Sequence, residues 1–133
     1  MNAPSIDIKD MLESYGDSSG IQGIDANTVF IGREPDKPNE CITIFDYTGR
    51  PPYLGLTNVG YEYPSVQIRV RSLSYITGWA LIEAIKTALH GRANETWNGT
   101  LYTVIYCSSG PALLDHDDHN RVRFIINFNL QRR

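Results

Sequence analysis

The chain has 133 residues, of which 41% are hydrophobic, and its net charge at neutral pH is −3. This length fits one domain, and we predict a single domain over residues 1–133. No run reaches the ~18 apolar residues of a membrane span, and the negative charge argues against a general nucleic-acid binder. The first residues lack the layout of a signal peptide, which predicts a protein made and kept in a cytoplasm until assembly.

The first third of the chain predicts one helix and two strands. Apolar side chains recur at helical spacing over residues 5–15, with Ser5 as a suitable N-cap and Gly16 as a suitable end. Two strands follow over residues 28–31 and 41–47, separated by a connector whose prolines prevent a continuous helix.

A long segment over residues 48–64 lies between the second and third predicted strands. Loops longer than ~12–15 residues in compact domains are usually functional arms or disordered. This one contains Tyr53, Leu54 and Tyr61 among other apolar residues, more than a disordered tether would carry. We therefore predict an arm that packs against another surface.

The third strand and the helix after it have the clearest pattern. Val66, Ile68 and Val70 alternate with polar residues, so one strand face is apolar. A helix over about 74–90 follows, with a serine as its cap and a glycine at its end. Its expected buried stripe consists of Tyr75, Trp79, Ile82, Ile85 and Leu89.

The last third predicts a strand over 101–107, a loop over 108–120 and a strand over 121–130. The alternation of the strands indicates antiparallel pairing with one covered face. The predicted fold class is α+β, in one domain with about five strands in a mostly antiparallel sheet. The long helix (about 74–90) and the N-terminal helix (about 5–15) are expected to pack on one face of that sheet.

Two pairs of arginines are the most distinctive polar feature. Arg69 and Arg71 share one face of their strand, and Arg121 and Arg123 share one face of theirs. If both strands lie in one sheet, the face away from the helix carries up to four guanidinium groups. This face is either an ordinary solvated surface or one that meets acidic neighbours or a phosphate backbone in passing.

The run Asp115-His116-Asp117-Asp118-His119 is the one cluster with metal-ligand chemistry. Consecutive loop residues point outward rather than converge, so we predict a solvated acidic loop and no metal. Nucleophile, phosphate-loop and dinucleotide motifs are missing. We therefore predict no enzyme, no catalytic residue and no cofactor, with Cys41 and Cys107 as small buried apolar side chains.

Two stretches resemble one known family. "VFIGREPDKPNECITIFDYTGRPP" (Val29–Pro52) is similar to the strand, Pro-Asp loop, strand and Pro-Pro ending of phage minor capsid and tail terminator proteins. "PSVQIRVRSLSYITGWALIEAIKTAL" (Pro64–Leu89) resembles the strand, arginine, tyrosine and long helix of the same family. Ser72 departs from the pattern, because many relatives carry glycine there.

The resemblance implies a structural virion protein, assembled in the host cytoplasm, that forms a ring of commonly six subunits at the head–tail junction. Such a ring caps the finished tail tube, joins it to the head connector and lets DNA pass only through its lumen. No cofactor or membrane is needed. The residues expected at interfaces are Arg69, Arg71, Arg121, Arg123, Tyr53, Leu54 and Tyr61.

Three other functions remain open from the sequence. A connector or stopper protein on the head side (a head completion protein) has similar size and also forms rings. A small metal-dependent enzyme would use the cluster at 115–119, and a generic adaptor would bind one host protein. The mass of the protein under native conditions separates a stable ring from the last two classes.

Overall fold

The computed structural model describes residues 1–21, 23–52 and 60–133. In that part of the chain, two helices accompany one six-stranded sheet, whose strands lie in the order β1-β2-β3-β6-β5-β4. The elements are α1 (Pro4–Ser19), β1 (Val29–Ile31), β2 (Cys41–Arg50), β3 (Tyr63–Ser72), α2 (Tyr75–Leu89), β4 (Ala93–Trp97), β5 (Thr100–His116) and β6 (Val122–Arg132).

The predicted fold class is wrong. The sheet has six strands rather than five, it is mixed and curled, and strands account for 46% of the described residues against 25% for helices. β1 pairs with β2 in parallel, with Val29 opposite Ile42, whereas the other pairings are antiparallel. A three-residue strand such as β1 carries no local pattern that indicates its direction. β4 was not predicted because it lacks the alternation of apolar residues by which a strand is recognised.

β5 is much longer than the predicted strand over 101–107. It continues to His116 and pairs with β6 throughout, although the predicted loop covered 108–120. Several register shifts interrupt this pairing, and each bulge breaks the period-two alternation by which a strand is recognised. Gly110 lies in one irregular stretch at a φ of 95°, where a Cβ would come within 2.9 Å of the carbonyl oxygen of Ile125.

The first helix differs from prediction at both ends. It begins at Pro4, and Ser5 does not cap it: the Ser5 hydroxyl donates to the Asp46 carboxylate at 2.6 Å. The helix ends at Gly20, which has a φ of 69°, rather than at Gly16. Gly16 serves packing instead, because a Cβ there would overlap the carbonyl oxygen of Ile24.

The second helix begins after Ser74, whose hydroxyl accepts from the backbone N–H of Thr77 at 3.4 Å. The predicted stripe is wrong in its first half, because Tyr75 and Trp79 are 53% and 38% exposed. Both rings pack against Phe124 in edge-to-face orientation, with ring centroids 5.0 and 5.6 Å from that of Phe124. The residues that α2 buries are Gly78, Leu81, Ile82, Ile85, Ala88 and Leu89.

The core lies between the two helices and one face of the sheet. Ile8, Met11 and Leu12 of α1 pack there with the buried side of α2. The strands contribute Ile42, Ile44, Val66, Ile68, Val70, Phe124, Ile126 and Phe128, all fully buried.

In the part of the chain that the structure describes, no helix is both long and apolar enough to cross a membrane.

Candidate functional site

The sheet face opposite the core is polar and carries the candidate site. Cross-strand register aligns its side chains in rows across β2, β3, β6 and β5, because residues two apart on a strand share a face. In one row Gln67 lies beside Asn127, whose amide donates to the Ser109 hydroxyl at 2.8 Å. In the next row the Ser65 hydroxyl donates to Asn129 at 2.7 Å. The uncovered face is thus a hydrogen-bonded polar surface.

Arg69 lies in the middle of this uncovered face. Its Nε donates to the Gln67 side chain at 3.1 Å, and its guanidinium lies 4.9 Å from the ring centroid of Phe45. Within the described residues no carboxylate lies at ion-pair distance from it. Arg69 therefore keeps charge and donor capacity for a partner.

Arg71, its neighbour on the same face, is 3% exposed and bound within the chain. Its guanidinium pairs with Glu34 at 3.2 Å and donates to the carbonyl oxygens of Asp36, Pro38 and Asn39, the shortest of these bonds being 2.7 Å. The connector over residues 33–40 therefore folds over this end of the sheet. One arginine holds that connector in place.

Arg121 and Arg123 hold the same connector and the turn after β5. Arg121 is 4% exposed and pairs with Asp117 at 2.7 Å and with Asp36 at 3.2 Å. Arg123 makes a two-pronged pair with Asp115 at 2.5 and 2.6 Å and also reaches Glu34 at 3.4 Å. Three of the four arginines predicted at interfaces thus form ion pairs within their own chain. Their role in contacts between chains stays a prediction.

These pairs shift the pKa of the groups involved. The hydrogen bonds from Arg123 hold the pKa of Asp115 below its ordinary value, and in turn raise the pKa of Arg123. Burial raises the pKa of Asp117, but hydrogen bonds from the Arg121 backbone and guanidinium outweigh burial and lower it overall. Both carboxylates therefore stay charged at neutral pH and below.

The pKa shift of Asp117 predicts a pH dependence of stability. Its pKa is lowered from an ordinary value of 3.8, so its stabilising contribution is complete above that value and is lost as the pH falls through the folded pKa. We expect Asp117→Asn to be less stable than the wild type at neutral pH. Below pH ~4 the free energy of unfolding of this variant should fall less steeply with pH than that of the wild type. The variant lacks the carboxylate that takes up a fraction of one proton on unfolding in this range. Denaturant titrations across this range measure both effects.

Asp118→Asn is the matched control, because Asp118 is an exposed neighbour in the same turn. At neutral pH its free energy of unfolding should be close to that of the wild type, because an exposed substitution usually changes stability by no more than about 0.5 kcal/mol. If the unfolding free energy of Asp117→Asn fell with pH as steeply as that of the wild type, the stabilising role of the pair between Asp117 and Arg121 would be contradicted.

The cluster at 115–119 is explained by these ion pairs. Asp115 and Asp117 turn toward arginines, and the exposed His119 lies 3.6 Å from Asp36. Among the residues that the structure describes, no group of three or more His, Cys, Asp or Glu side chains is placed to hold a metal ion.

The remaining predicted contact residues belong to the segment between β2 and β3. Tyr53 and Leu54 lie outside the described residues. Tyr61 is half-buried, and the Arg133 guanidinium lies 5.3 Å from its ring centroid. Of the cysteines, Cys41 is buried, which raises its thiol pKa, and Cys107 is half-buried.

Sequence reasoning missed a buried polar contact between α1 and β5. Asp7 is fully buried, and its carboxylate accepts hydrogen bonds from the Tyr102 hydroxyl and, at 2.7 Å, from the Asn98 amide. Burial, and then the Asp7 hydrogen bond, raise the pKa of Tyr102. The position of Asp7 in the first turn of a helix predicts only a favourable interaction with the helix dipole. No local signal identifies a partner more than 90 residues away.

Comparison with known proteins identifies the family of this fold. The family model described as "Bacteriophage tail terminator protein" matches residues 8–133. The chain belongs to the bacteriophage tail terminator family. Among solved structures, this tail terminator family member resembles a chain from the virion of a native gene transfer agent particle. The TM-score is 0.67 over 98% of this chain and 94% of that chain, at 12% identity, so the likeness shows the fold alone. No curated protein sequence matched.

The resemblance stated from the sequence is confirmed at the level of the family. Tail terminators are structural phage proteins, which supports a structural role in the phage tail or at the head–tail junction.

Proposed function

We propose that this protein forms a closed ring of identical subunits, a hexamer, that caps the tail tube and joins it to the head connector. The family match over residues 8–133 is the observation that carries this proposal. The partners are further copies of the chain, the tail tube protein and the connector or stopper protein.

A ring of this kind can stop the growth of a tube by geometry alone. A tube grows by repeating one heterologous contact, and growth continues until something occupies the exposed end. A ring that matches the tube on one face and differs on the other ends that repetition. No bond has to be made or broken, so a subunit with fixed surfaces suffices.

The uncovered sheet face supports the proposal as a contact surface. Arg69 offers a guanidinium next to the aromatic ring of Phe45, and the amides of Gln67 and Asn127 extend the polar row. Arginine and aromatic side chains are enriched at protein interfaces. We propose that this face and Tyr61 meet neighbouring virion proteins. DNA passes through the ring lumen without being read.

The experiment is a nonsense mutation early in the gene, examined in infected cells by electron microscopy. We expect filled heads and separate tails to accumulate, with some tails longer than normal, because nothing stops tube growth. Purified protein added to the extract should cap the tails and restore joining.

The opposite result would place the protein on the head side. If the mutant made tails of uniform length while heads lost their DNA, the protein would be a connector or stopper. Normal joining in the mutant would reject both functions.

A further inference from the structure

An open apolar groove of about 480 Å³ lies beside the first two turns of α2. Most of its lining comes from the helix and from the connector after α1, namely from Ile76, Thr77, Ala80, Leu81, Ile21 and Gly23. Ile76 is 81% exposed, although it is a large apolar side chain. An exposed apolar surface of this kind marks a place where another part of a protein binds.

Glu40 adds one carboxylate to the lining of the groove. Its Oε1 accepts from the backbone N–H of Leu73 at 3.1 Å, whereas its Oε2 is shielded from solvent and has no hydrogen-bond partner among the described residues. A buried acceptor without a donor is costly, and more so when it carries charge. The groove therefore suits a segment that brings apolar side chains and an N–H donor, and no unpaired negative charge.

The second half of β5 has apolar side chains and donors of this kind. Leu113 and Leu114 are 48% and 38% exposed there. β6 pairs with one side of residues 112–116, and β4 pairs only with residues 100–104, so no described strand covers the other side. Such a free strand edge presents backbone N–H groups that can bind another chain.

The charged groups along this free edge also suit the groove. Asp115 is its one carboxylate, and Arg123 donates to both carboxylate oxygens at 2.5 and 2.6 Å. The edge therefore brings no unpaired negative charge toward Glu40. The exposed imidazole of His116 supplies a further N–H donor beside the backbone groups.

The groove and the free edge lie on opposite flanks of α2, at one level of the sheet. The cross-strand row that begins at Cys41, directly after Glu40, crosses β3 and β6 and ends at Asp115. α2 packs on β3 and β6 between these two ends. Copies joined head to tail through these surfaces gain little rise from one to the next, which favours a closed ring over a filament.

We infer that the groove of one subunit receives the free edge of β5, residues 112–116, of a second copy of this chain. Leu113 and Leu114 enter the groove, and an N–H group of the edge or of His116 donates to the Glu40 carboxylate. The inference rests on the proposed ring and names the contact that builds it. The contact is heterologous, so each subunit turns its groove to one neighbour and its β5 edge to the other.

Two variants test the inference, and each removes one side of the contact. Ile76→Glu places a second carboxylate beside Glu40, and Leu113→Ser with Leu114→Ser removes the apolar groups of the edge. Native mass spectrometry should find each variant at the subunit mass of 15.0 kDa, while the wild type forms rings. Ile76→Glu is the stricter variant, because a side chain that is 81% exposed contributes little to the fold.

Ile76→Leu and Thr87→Glu are the matched controls. Ile76→Leu keeps an apolar side chain in the groove, and Thr87 is exposed on the same helix outside the groove lining. Both controls should still form rings. Circular dichroism and thermal melting should show that all the variants are folded.

Mixing the two defective variants gives the decisive result. The groove variant still has a working edge and the edge variant still has a working groove, so one contact forms between them. We expect a heterodimer that grows no further. Rings formed by either variant alone, or no association in the mixture of folded variants, would overturn the inference.

The proposed function is measured separately, by tail capping with the wild-type protein. If both the wild type and Ile76→Glu form rings and cap tails, only the groove contact is wrong. If the wild type associates only on tails, the two variants are compared there, and capping by either one alone overturns the inference. If the wild type neither associates nor caps tails, the proposed function falls and the inference falls with it.

Discussion

Arg71→Ala is expected to lower the free energy of unfolding by about 3–5 kcal/mol, the usual cost of removing one partner of a buried ion pair. The guanidinium is 3% exposed and binds Glu34 together with three carbonyl oxygens of the connector over 33–40. Its loss removes the side-chain donor to the Pro38 and Asn39 carbonyl oxygens, whereas Glu34 keeps its pair with Arg123 and the Asp36 carbonyl oxygen keeps its bond from Arg121. The connector should therefore loosen at Pro38 and Asn39 while Arg121 and Arg123 still hold its other residues.

Arg69→Ala is the matched control for this prediction, two residues away on the same face. Arg69 holds no ion pair among the described residues, so its loss should change stability by no more than about 0.5 kcal/mol. Urea unfolding followed by circular dichroism measures both variants. Arg71→Lys should recover only part of the lost stability, because the compact ammonium group cannot reach all the acceptors that surround the planar guanidinium. Equal stabilities for Arg69→Ala and Arg71→Ala would contradict the described network.

Phe124→Ala is expected to cost about 3–5 kcal/mol, the range for a fully buried large aromatic side chain. The ring is 0% exposed and lies under α2, with the ring centroids of Tyr75 and Trp79 at 5.0 and 5.6 Å. Its removal opens a cavity at the contact of the helix with β6. A loss this large could exceed half the stability of a typical domain, so poor solubility is expected too.

Trp79→Ala is the informative comparison, because the sequence alone had placed Trp79 in the buried stripe. At 38% exposed it should cost clearly less than Phe124→Ala. The double variant should show coupling between the two rings, since edge-to-face pairs contribute about 0.5–1.5 kcal/mol beyond burial. Thermal melts of the three variants decide the order. A larger loss for Trp79→Ala than for Phe124→Ala would mean that α2 is rotated relative to this description.

The sequence by itself determined the positions of those elements whose pattern is local. β3 follows from the strict alternation of Val66, Ile68 and Val70, and a serine cap indicated where α2 starts, which the structure assigns to Ser74. The family resemblance also rested on residues close together in the chain. In these stretches the local backbone preference and the pattern of buried residues indicate the same element, so the element can be predicted from a single sequence.

Only the tertiary structure decided what distant residues do to one another. The parallel direction of β1, the extension of β5 to His116 and the rotation of α2 depend on partners that no local pattern names. The arginines show this most clearly. Alternation correctly placed Arg69 and Arg71 on one face, yet the connector carrying Glu34 covers Arg71 and leaves Arg69 available. Periodicity specifies the side of a strand, whereas burial and pairing depend on which part of the chain folds over it.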